Sequence, residues 1–184
     1  KRKKVVASAS VKVLMICTAI NKELTQEQKI IVMVRLLEFI KRGALNNEIS
    51  LQESEFADTV ADAFNIAQDE YLALKSFVLF ADKEMPVGDN ILLIDGDYGF
   101  HHDQIKHIYS EGISGRIIVF AVRSVNIHLF VIQNEKELYL NGQVLNPDRV
   151  HVLSSGAGIR NSKIKPIYYS DIISAYNLYR LHNR

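Results

Sequence analysis

The spacing of apolar residues changes once along the chain, near Pro86. Before this proline, apolar residues recur every three or four positions, which is the spacing of one face of an α-helix. After it, they gather in short runs rich in β-branched and aromatic residues, which are typical of β-strands. Proline cannot continue a helix, because it lacks an amide hydrogen. The pattern therefore predicts an α+β chain, with an all-helical bundle over residues 1–85 and a β-rich domain over residues 88–184.

Four helices are predicted in the first domain, over about residues 10–20, 25–43, 51–64 and 67–80. The first is apolar on nearly every side, so we expect it to be central in the bundle. In the third, Phe56, Val60 and Phe64 recur at four-residue spacing and are expected to form its buried face.

Two of these helices begin with the spacing of a capping box. Thr25 precedes Gln28 by three residues, and Ser50 precedes Glu53 by three. In this motif the two side chains accept hydrogen bonds from each other's backbone amides, which satisfies donors that the first helical turn leaves free. The two motifs therefore predict where the second and third helices start.

The second domain shows three apolar runs, at about residues 91–94, 115–123 and 126–133. The run at 115–123 is apolar at odd and even positions alike, so both faces of that strand should be buried. Asn141-Gly142 separates two short runs and is the dipeptide favoured in a tight hairpin turn. A further strand is expected at residues 164–169. Together these signals predict a small antiparallel β-sandwich or barrel.

Composition and charge exclude several classes of protein. The 22 basic and 21 acidic residues give a net charge of +1, so no global field favours nucleic acid as a partner. No apolar run is long enough to cross a bilayer, and no signal peptide is apparent, so we expect no direct membrane insertion by this chain. One cysteine in the chain fits a reducing, cytoplasmic location. Because the first residue is Lys, we expect the chain to be part of a longer polypeptide.

The helical half resembles the tellurite-resistance TerB-like domain, a small helical bundle that is also similar to the N-terminal part of DjlA-type co-chaperones. The resemblance covers about residues 10–82. It depends on the order of short motifs, namely Glu23-Leu24, Glu27-Gln28-Lys29, Glu48-Ile49-Ser50, Glu53 and Phe64-Asn65-Ile66.

That resemblance implies a candidate site for a divalent cation, the only cofactor that we consider. The family loop typically reads Asp-Gly-x-Ile-x-x-x-Glu, and here it falls on Asn46, Asn47, Glu48, Ile49 and Glu53. Glu48 and Glu53 are the candidate ligands, with Asp58 as a third. An amide in place of the aspartate removes charge that a hard cation needs. The competing interpretation gives Glu53 a capping role and makes the asparagines turn residues.

The β half resembles the C-terminal half of a forkhead-associated sandwich, on the motifs Leu140 to Gln143, Leu153 to Gly156 and Ile159-Arg160. It lacks the Gly-Arg pair and the Ser-x-x-His loop with which that family reads phosphothreonine. Most of the chain is similar to the region that precedes the nucleotide-binding domain in certain bacterial ABC-transporter ATP-binding proteins. That likeness ends in the run Tyr168, Tyr169, Ser170, Asp171 and Ile172. It implies a location at the membrane only through the rest of a transporter.

Candidate chemistry within the chain is sparse. No glycine-rich loop ends in the Gly-Lys-Ser/Thr that a phosphate-binding loop requires. His101 and His107, with a carboxylate, could bind a transition metal and, with His102, serve a small metal-dependent hydrolase. The same segment also has ordinary turn chemistry. Ser154, Ser155 and His151 have no carboxylate at a predictable position to orient the histidine.

The sequence therefore predicts a non-catalytic regulatory or protein-interaction module, at the N-terminal side of a transporter ATPase that lies outside this chain. Its partners would be another protein or other domains of the same polypeptide. Two alternatives stay open at this point. One is a divalent-metal-binding domain of the tellurite-resistance type, and the other is the small metal-dependent hydrolase.

Overall fold

The structure, a computed structural model, describes residues 2–46, 48–80 and 84–182, with side chains described over 10–46, 48–80 and 84–178. The chain forms two compact units, Lys1–Ala81 and Asp82–Arg184. Helices make up the first unit, whereas the second contains strands and a final helix. The predicted α+β class is confirmed. Among the described residues, no helix combines the length and apolarity that crossing a bilayer would require.

The described part of the first unit, residues 2–46 and 48–80, contains four helices: α1 (Arg2–Glu23), α2 (Gln26–Gly43), α3 (Leu51–Ala63) and α4 (Gln68–Leu79). Both predicted capping boxes are present. Thr25 Oγ1 accepts a hydrogen bond from the Gln28 amide at 3.2 Å, and Gln28 Oε1 accepts one from the Thr25 amide at 2.9 Å. Since each box satisfies backbone donors at a helix start, these short motifs fix the first residues of α2 and α3.

The core of the helical unit lies between α2, α3 and α4. Its largest fully buried side chains include Met33, Leu37, Phe64, Tyr71 and Phe77. The prediction for Phe56 is wrong, because this side chain is 40% exposed. The buried face of α3 is formed by Ala57, Val60, Ala61 and, just after the helix, Phe64. Phe56 precedes the first of these residues and lies at the edge of that face.

The prediction that α1 is central is also wrong. Cys17 is buried, but Val11, Leu14, Met15 and Ile16 are all about half exposed or more. The helix packs along α3 on one side, while its opposite side stays uncovered. Although α1 is apolar on nearly every side, it therefore does not lie at the centre of the bundle.

Side chains from α1 and α2 close the C-terminal end of α3. Asn21 Nδ2 donates to the Ala63 carbonyl at 2.7 Å, and Gln26 Nε2 donates to that of Phe64 at 3.1 Å. Lys29, which is buried, donates to Asn21 Oδ1 at 3.1 Å. These bonds satisfy carbonyls that a helix end leaves without intrahelical donors, and the Lys29 charge suits the negative end of the helix dipole.

In the described residues of the second unit, 84–182, there are nine strands and a fifth helix: β1 (Ile91–Asp95), β2 (Lys106–Tyr109), β3 (Arg116–Val122), β4 (Ile127–Gln133), β5 (Tyr139–Leu140), β6 (Gln143–Val144), β7 (His151–Leu153), β8 (Gly158–Arg160), β9 (Ile167–Tyr168) and α5 (Tyr169–His182). One sheet has the order β2-β1-β3-β4-β7, and the other has the order β6-β5-β8-β9. The sheets are mostly antiparallel, but β1 and β2 are parallel. The predicted antiparallel arrangement is therefore confirmed for most of the strand pairs, and the parallel β1–β2 pair departs from it because residues 96–105 return the chain to the start of the sheet.

The strand predicted at residues 164–169 is mostly replaced by other structure. Only Ile167 and Tyr168 are in a strand, and α5 begins at Tyr169. The Asp171 carboxylate accepts a hydrogen bond from the Tyr168 amide at 2.9 Å, which is the acidic half of a capping box. This contact favours a helix start where apolar residues alone indicated a strand.

The predicted hairpin at Asn141-Gly142 is present between β5 and β6. Asn141 has φ 50° and Gly142 has φ 83°, as a type I′ turn requires.

The core of this unit is shared between the two sheets and α5. The first sheet contributes Ile94, Val119 and Phe130, the second contributes Ile159 and Ile167, and α5 contributes Ile172 and Tyr176. Val119 lies on the core face of β3. On the opposite face of this strand, Ile118, Phe120 and Val122 are buried as well, which confirms the prediction that both faces are covered.

Candidate functional site

The three carboxylates of the predicted cation site have separate contacts. Glu53 Oε1 accepts the Ser50 amide at 3.2 Å in the capping box. Glu48 is exposed and its amide donates to the Leu45 carbonyl at 3.1 Å. Asn46 has φ 56°, as its turn role predicts, whereas Asn47 lies outside the described residues. The structure therefore places Glu53 at a helix start rather than at an ion.

Asp58 belongs to a hydrogen-bonded group that we call the Asp58 cluster, formed by Ser54, Asp58, Tyr71 and Lys75. Asp58 Oδ1 accepts from the Tyr71 hydroxyl at 2.6 Å and from Lys75 Nζ at 2.8 Å. Burial opposes its charge, but the hydrogen bonds from Lys75 and Tyr71 outweigh burial and lower the pKa of Asp58. Burial is the main cause that raises the pKa of the Tyr71 hydroxyl, and the neighbouring Asp58 raises it further. This carboxylate is thus engaged in holding α4 to α3.

The two predicted metal-binding histidines of the second unit have different surroundings. His107, on β2, has Nε2 2.6 Å from Oδ1 of Asp95 at the end of β1. The Phe100 ring lies 4.8 Å from the imidazole. His101 is largely exposed, with Asp103 as a neighbour at 3.4 Å. Across the part of the chain that the structure describes, no three His, Cys, Asp or Glu side chains come together as a metal-binding group.

The Asp95–His107 pair acts as the anchor of the loop between β1 and β2. Asp95 Oδ1 also accepts the Asp97 amide at 3.1 Å, and Asp97 Oδ1 accepts the Gly99 amide at 3.0 Å. Further along, His102 Nδ1 accepts the Gln104 amide at 3.0 Å. The polar residues that suggested a metal site therefore stabilise a succession of turns.

The histidine and the serines considered for nucleophilic catalysis lie on β7 and in the turn after it. His151 Nε2 lies 2.7 Å from the Asn146 carbonyl oxygen, and its ring lies 5.2 Å from that of Phe130. Ser154 and Ser155 are exposed in the turn that follows β7. His151 thus contacts a backbone carbonyl and an aromatic ring, which are contacts of a structural histidine.

A surface that the sequence did not reveal lies on the uncovered side of α1. We call Val11, Leu14, Met15, Thr18 and Ala19 the α1 apolar face; they line a shallow groove that ends at Lys22 and Glu23. These positions are spaced by three and four residues, so they share one side of the helix. Met15 is 66% exposed and Val11 is 56% exposed. Contiguous exposed apolar surface of this kind marks sites of interaction.

Glu135 is a buried carboxylate that sequence reasoning also missed. Its Oε2 accepts the amides of Ser114 at 2.6 Å and Gly115 at 3.0 Å. A Cβ at residue 115 would lie 2.1 Å from the Gln133 carbonyl oxygen, so only glycine permits this close approach of backbone. Glu135 thereby joins the start of β3 to the loop after β4, at the edge of a polar cleft of about 490 Å³.

His128 lies in the apolar run of β4 and is 6% exposed. Within the described part of the chain, its Nδ1 atom is buried and has no hydrogen-bond partner. The rings of Tyr169 and Tyr176, both from α5, lie 6.0 Å and 5.4 Å from its imidazole. Burial lowers the pKa of His128. The only signal in the sequence was a histidine inside a strand of apolar residues.

Comparison of the chain with protein-family models, with curated proteins and with solved structures found no match of any of the three kinds. The resemblances to the TerB-like, forkhead-associated and transporter families therefore stay expectations from the sequence.

Proposed function

We propose that the chain is a non-catalytic regulatory or protein-interaction module that binds its partner through the α1 apolar face. One observation carries this proposal. The helix is apolar on both sides, yet only the side with Cys17 is buried, while Leu14 and Met15 are 47% and 66% exposed. A helix that is apolar all round is normally covered all round, so its open side is suited to a partner.

The charge of α1 defines the chemistry of that partner. The helix contains five basic residues and one acidic residue, so its net charge is five minus one, or +4; they are Arg2, Lys3, Lys4, Lys12 and Lys22, with Glu23. Lys22 and Glu23 both border the groove, so the excess positive charge comes from the basic residues along the rest of the helix. The complementary ligand is an amphipathic helix with carboxylates beside an apolar stripe, which would lie along α1 as a helix in a groove.

The position of the module in a larger system is part of the proposal. The sequence resemblances support a TerB-like bundle and a small β-sandwich placed before the ATP-binding domain of a bacterial ABC transporter. The partner helix would then belong to another domain of the same polypeptide or to an associated cytoplasmic protein. Two sheets with a shared core support the sandwich description.

A binding experiment tests the proposed surface. The probe is a synthetic amphipathic helix with a leucine stripe flanked by glutamates, and the control peptide carries lysines in place of the glutamates. The double variant Leu14→Glu/Met15→Glu should weaken binding of the acidic peptide at least about tenfold, because it removes two buried apolar contacts. Leu72→Glu, on the exposed side of α4, is the matched control and should bind normally.

Two outcomes would contradict the proposal. Equal binding by the double variant and the Leu72→Glu control would show that α1 is not the surface. Binding to phosphatidylserine vesicles with no binding to the acidic peptide would assign α1 to a lipid surface instead. The transporter placement has a separate test: the reading frame after Arg184 should encode a strand followed by Gly-x-x-x-x-Gly-Lys-Ser/Thr, and its absence would remove that placement.

A further inference from the structure

The contact between α5 and the first sheet of the β unit is centred on a histidine. His128 lies on β4, paired with Ala121 of β3 and with Leu153 of β7. Tyr169 and Tyr176 of α5 contact its ring edge-on and at a tilt. A cavity of about 90 Å³, bordered by Ile173 and Asn177 of α5, lies beside it. The helix is thus held on both sides of His128 but is packed incompletely next to it.

The charged side chains of Asp89, Lys106 and Arg123 lie around this contact, and with His128 and Tyr176 we call them the Asp89 cluster. Arg123 donates to the Asp89 carboxylate at 2.9 Å, and Lys106 donates to the Asp89 carbonyl. Lys106 Nζ also lies 5.6 Å from the centre of the Tyr176 ring, and Arg123 borders the cavity. Two cations and one carboxylate therefore already surround the helix contact.

A positive charge on His128 would be poorly tolerated in this place. The Nδ1–H of the protonated ring would point into a buried position where the described residues offer no acceptor, and Lys106 and Arg123, which lie around Tyr176, are cations rather than acceptors. A buried charge without a partner is strongly unfavourable, whereas movement of α5 would expose the ring to water. The tyrosine rings that α5 contributes would offset only part of this cost.

We infer that α5 is an acid-sensitive latch, which protonation of His128 loosens from the sheet. The inference does not depend on the α1 apolar face. Burial lowers the pKa of His128 below the ordinary 6.5, and this shift determines the direction in which pH changes the stability of the closed state. The open state then binds the proton more readily than the closed state, so the closed state loses stability as pH falls from about 6.5 towards the lowered pKa. At higher pH the latch is closed.

Hydrogen exchange of the α5 amides, corrected for the intrinsic effect of pH, measures the opening directly. One proton that binds only the open state raises the opening equilibrium by at most tenfold per pH unit. Protection of α5 in the wild-type chain should therefore fall between pH 7.5 and pH 5.5, by up to about tenfold. His128→Gln and His128→Phe should abolish this fall, since neither side chain titrates. His151→Gln, on neighbouring β7, is the matched control and should keep it.

Three results would overturn the inference. The first is α5 protection in the wild-type chain that does not change with pH. The second is an equal loss of protection in β3, because the whole unit would then be opening rather than the latch. The third is a fall that persists in both His128 variants. The wild-type measurement stands even if one of the variants fails to fold.

Discussion

The Asp58 cluster in the helical unit and the Asp89 cluster in the β unit both lie where a helix is held in place, but their hydrogen bonds differ. Each contains a buried helix tyrosine and an aspartate. In the Asp58 cluster the carboxylate accepts the Tyr71 hydroxyl and one ammonium group, so the charges are balanced. In the Asp89 cluster the Tyr176 hydroxyl instead donates to the Asn90 carbonyl at 2.9 Å, while the Asp89 carboxylate accepts from Arg123.

This difference determines which pH each cluster detects. The pKa of Asp58 is lowered from 3.8, so its contribution is complete above that value and is lost as pH falls through the lowered pKa. The pKa of Asp89 is likewise lowered: burial opposes its charge, but Arg123 outweighs burial. His128 responds first on acidification, because its unfolded value is 6.5. His128, which has no counterpart in the Asp58 cluster, therefore makes the β unit respond to acid below about pH 6.5, whereas the Asp58 cluster responds only below pH 3.8.

The largest effect is expected from removing the tyrosine that anchors α5. Tyr176→Ala deletes a buried aromatic side chain and its hydrogen bond to Asn90, and should destabilise the β unit by about 3–5 kcal/mol. Urea unfolding followed separately in the two units by NMR should show the change in the β unit alone. Leu178→Ala, at an exposed position of α5, is the control. A similar loss in the helical unit would contradict the contrast between the two units.

A smaller effect is expected from the balanced cluster. Asp58→Leu removes the acceptor of the buried Tyr71 hydroxyl and one of the acceptors of Lys75, which still donates to Ser54 Oγ, and should destabilise the helical unit by about 1–2 kcal/mol at pH 7. The difference from wild type should shrink below about pH 4, because the unfolded chain then binds a proton at Asp58 that the lowered pKa disfavours in the folded chain. Asp62→Ala, an exposed aspartate of α3, should change the free energy of unfolding by less than about 0.5 kcal/mol. A cost for Asp58→Leu that is the same at pH 3 and pH 7 would contradict the assigned role.

The smallest effect concerns the candidate cation site. Because Glu53 caps α3 and Asp58 is paired with Lys75, millimolar Ca²⁺ or Zn²⁺ should leave the melting temperature of the chain unchanged. Glu53→Gln should alter the free energy of unfolding by less than about 0.5 kcal/mol, since the amide oxygen can still accept the Ser50 amide. A metal-dependent rise in Tm that Glu53→Gln abolishes would restore the divalent-cation function.

The parts of the fold that the sequence predicted correctly depend on neighbours along the chain. Thr25 with Gln28 and Ser50 with Glu53 are contacts over three residues, and the Asn141-Gly142 turn requires only local backbone angles. The apolar runs of β3 and β4 were also sufficient to predict strands, because both of their faces are buried.

The features that the sequence did not predict depend on distant partners. β2 is defined by parallel pairing with β1, and nothing in Lys106 to Tyr109 shows that pairing locally. The Tyr176 hydroxyl bonds to a residue 86 positions away. The exposed α1 apolar face and the unsatisfied Nδ1 of His128 similarly depend on which surfaces meet after folding. Asp171 was a usable local signal for α5, since it caps the Tyr168 amide.

The buried Cys17 has a practical consequence for studies of α1. It is the one cysteine in the chain, it lies on the side of α1 opposite the α1 apolar face, and burial raises the pKa of its thiol. A thiol reagent can therefore modify it quickly only when α1 separates from α3. The rate of alkylation of the unmodified protein thus reports the separation of this helix, and no introduced probe is needed.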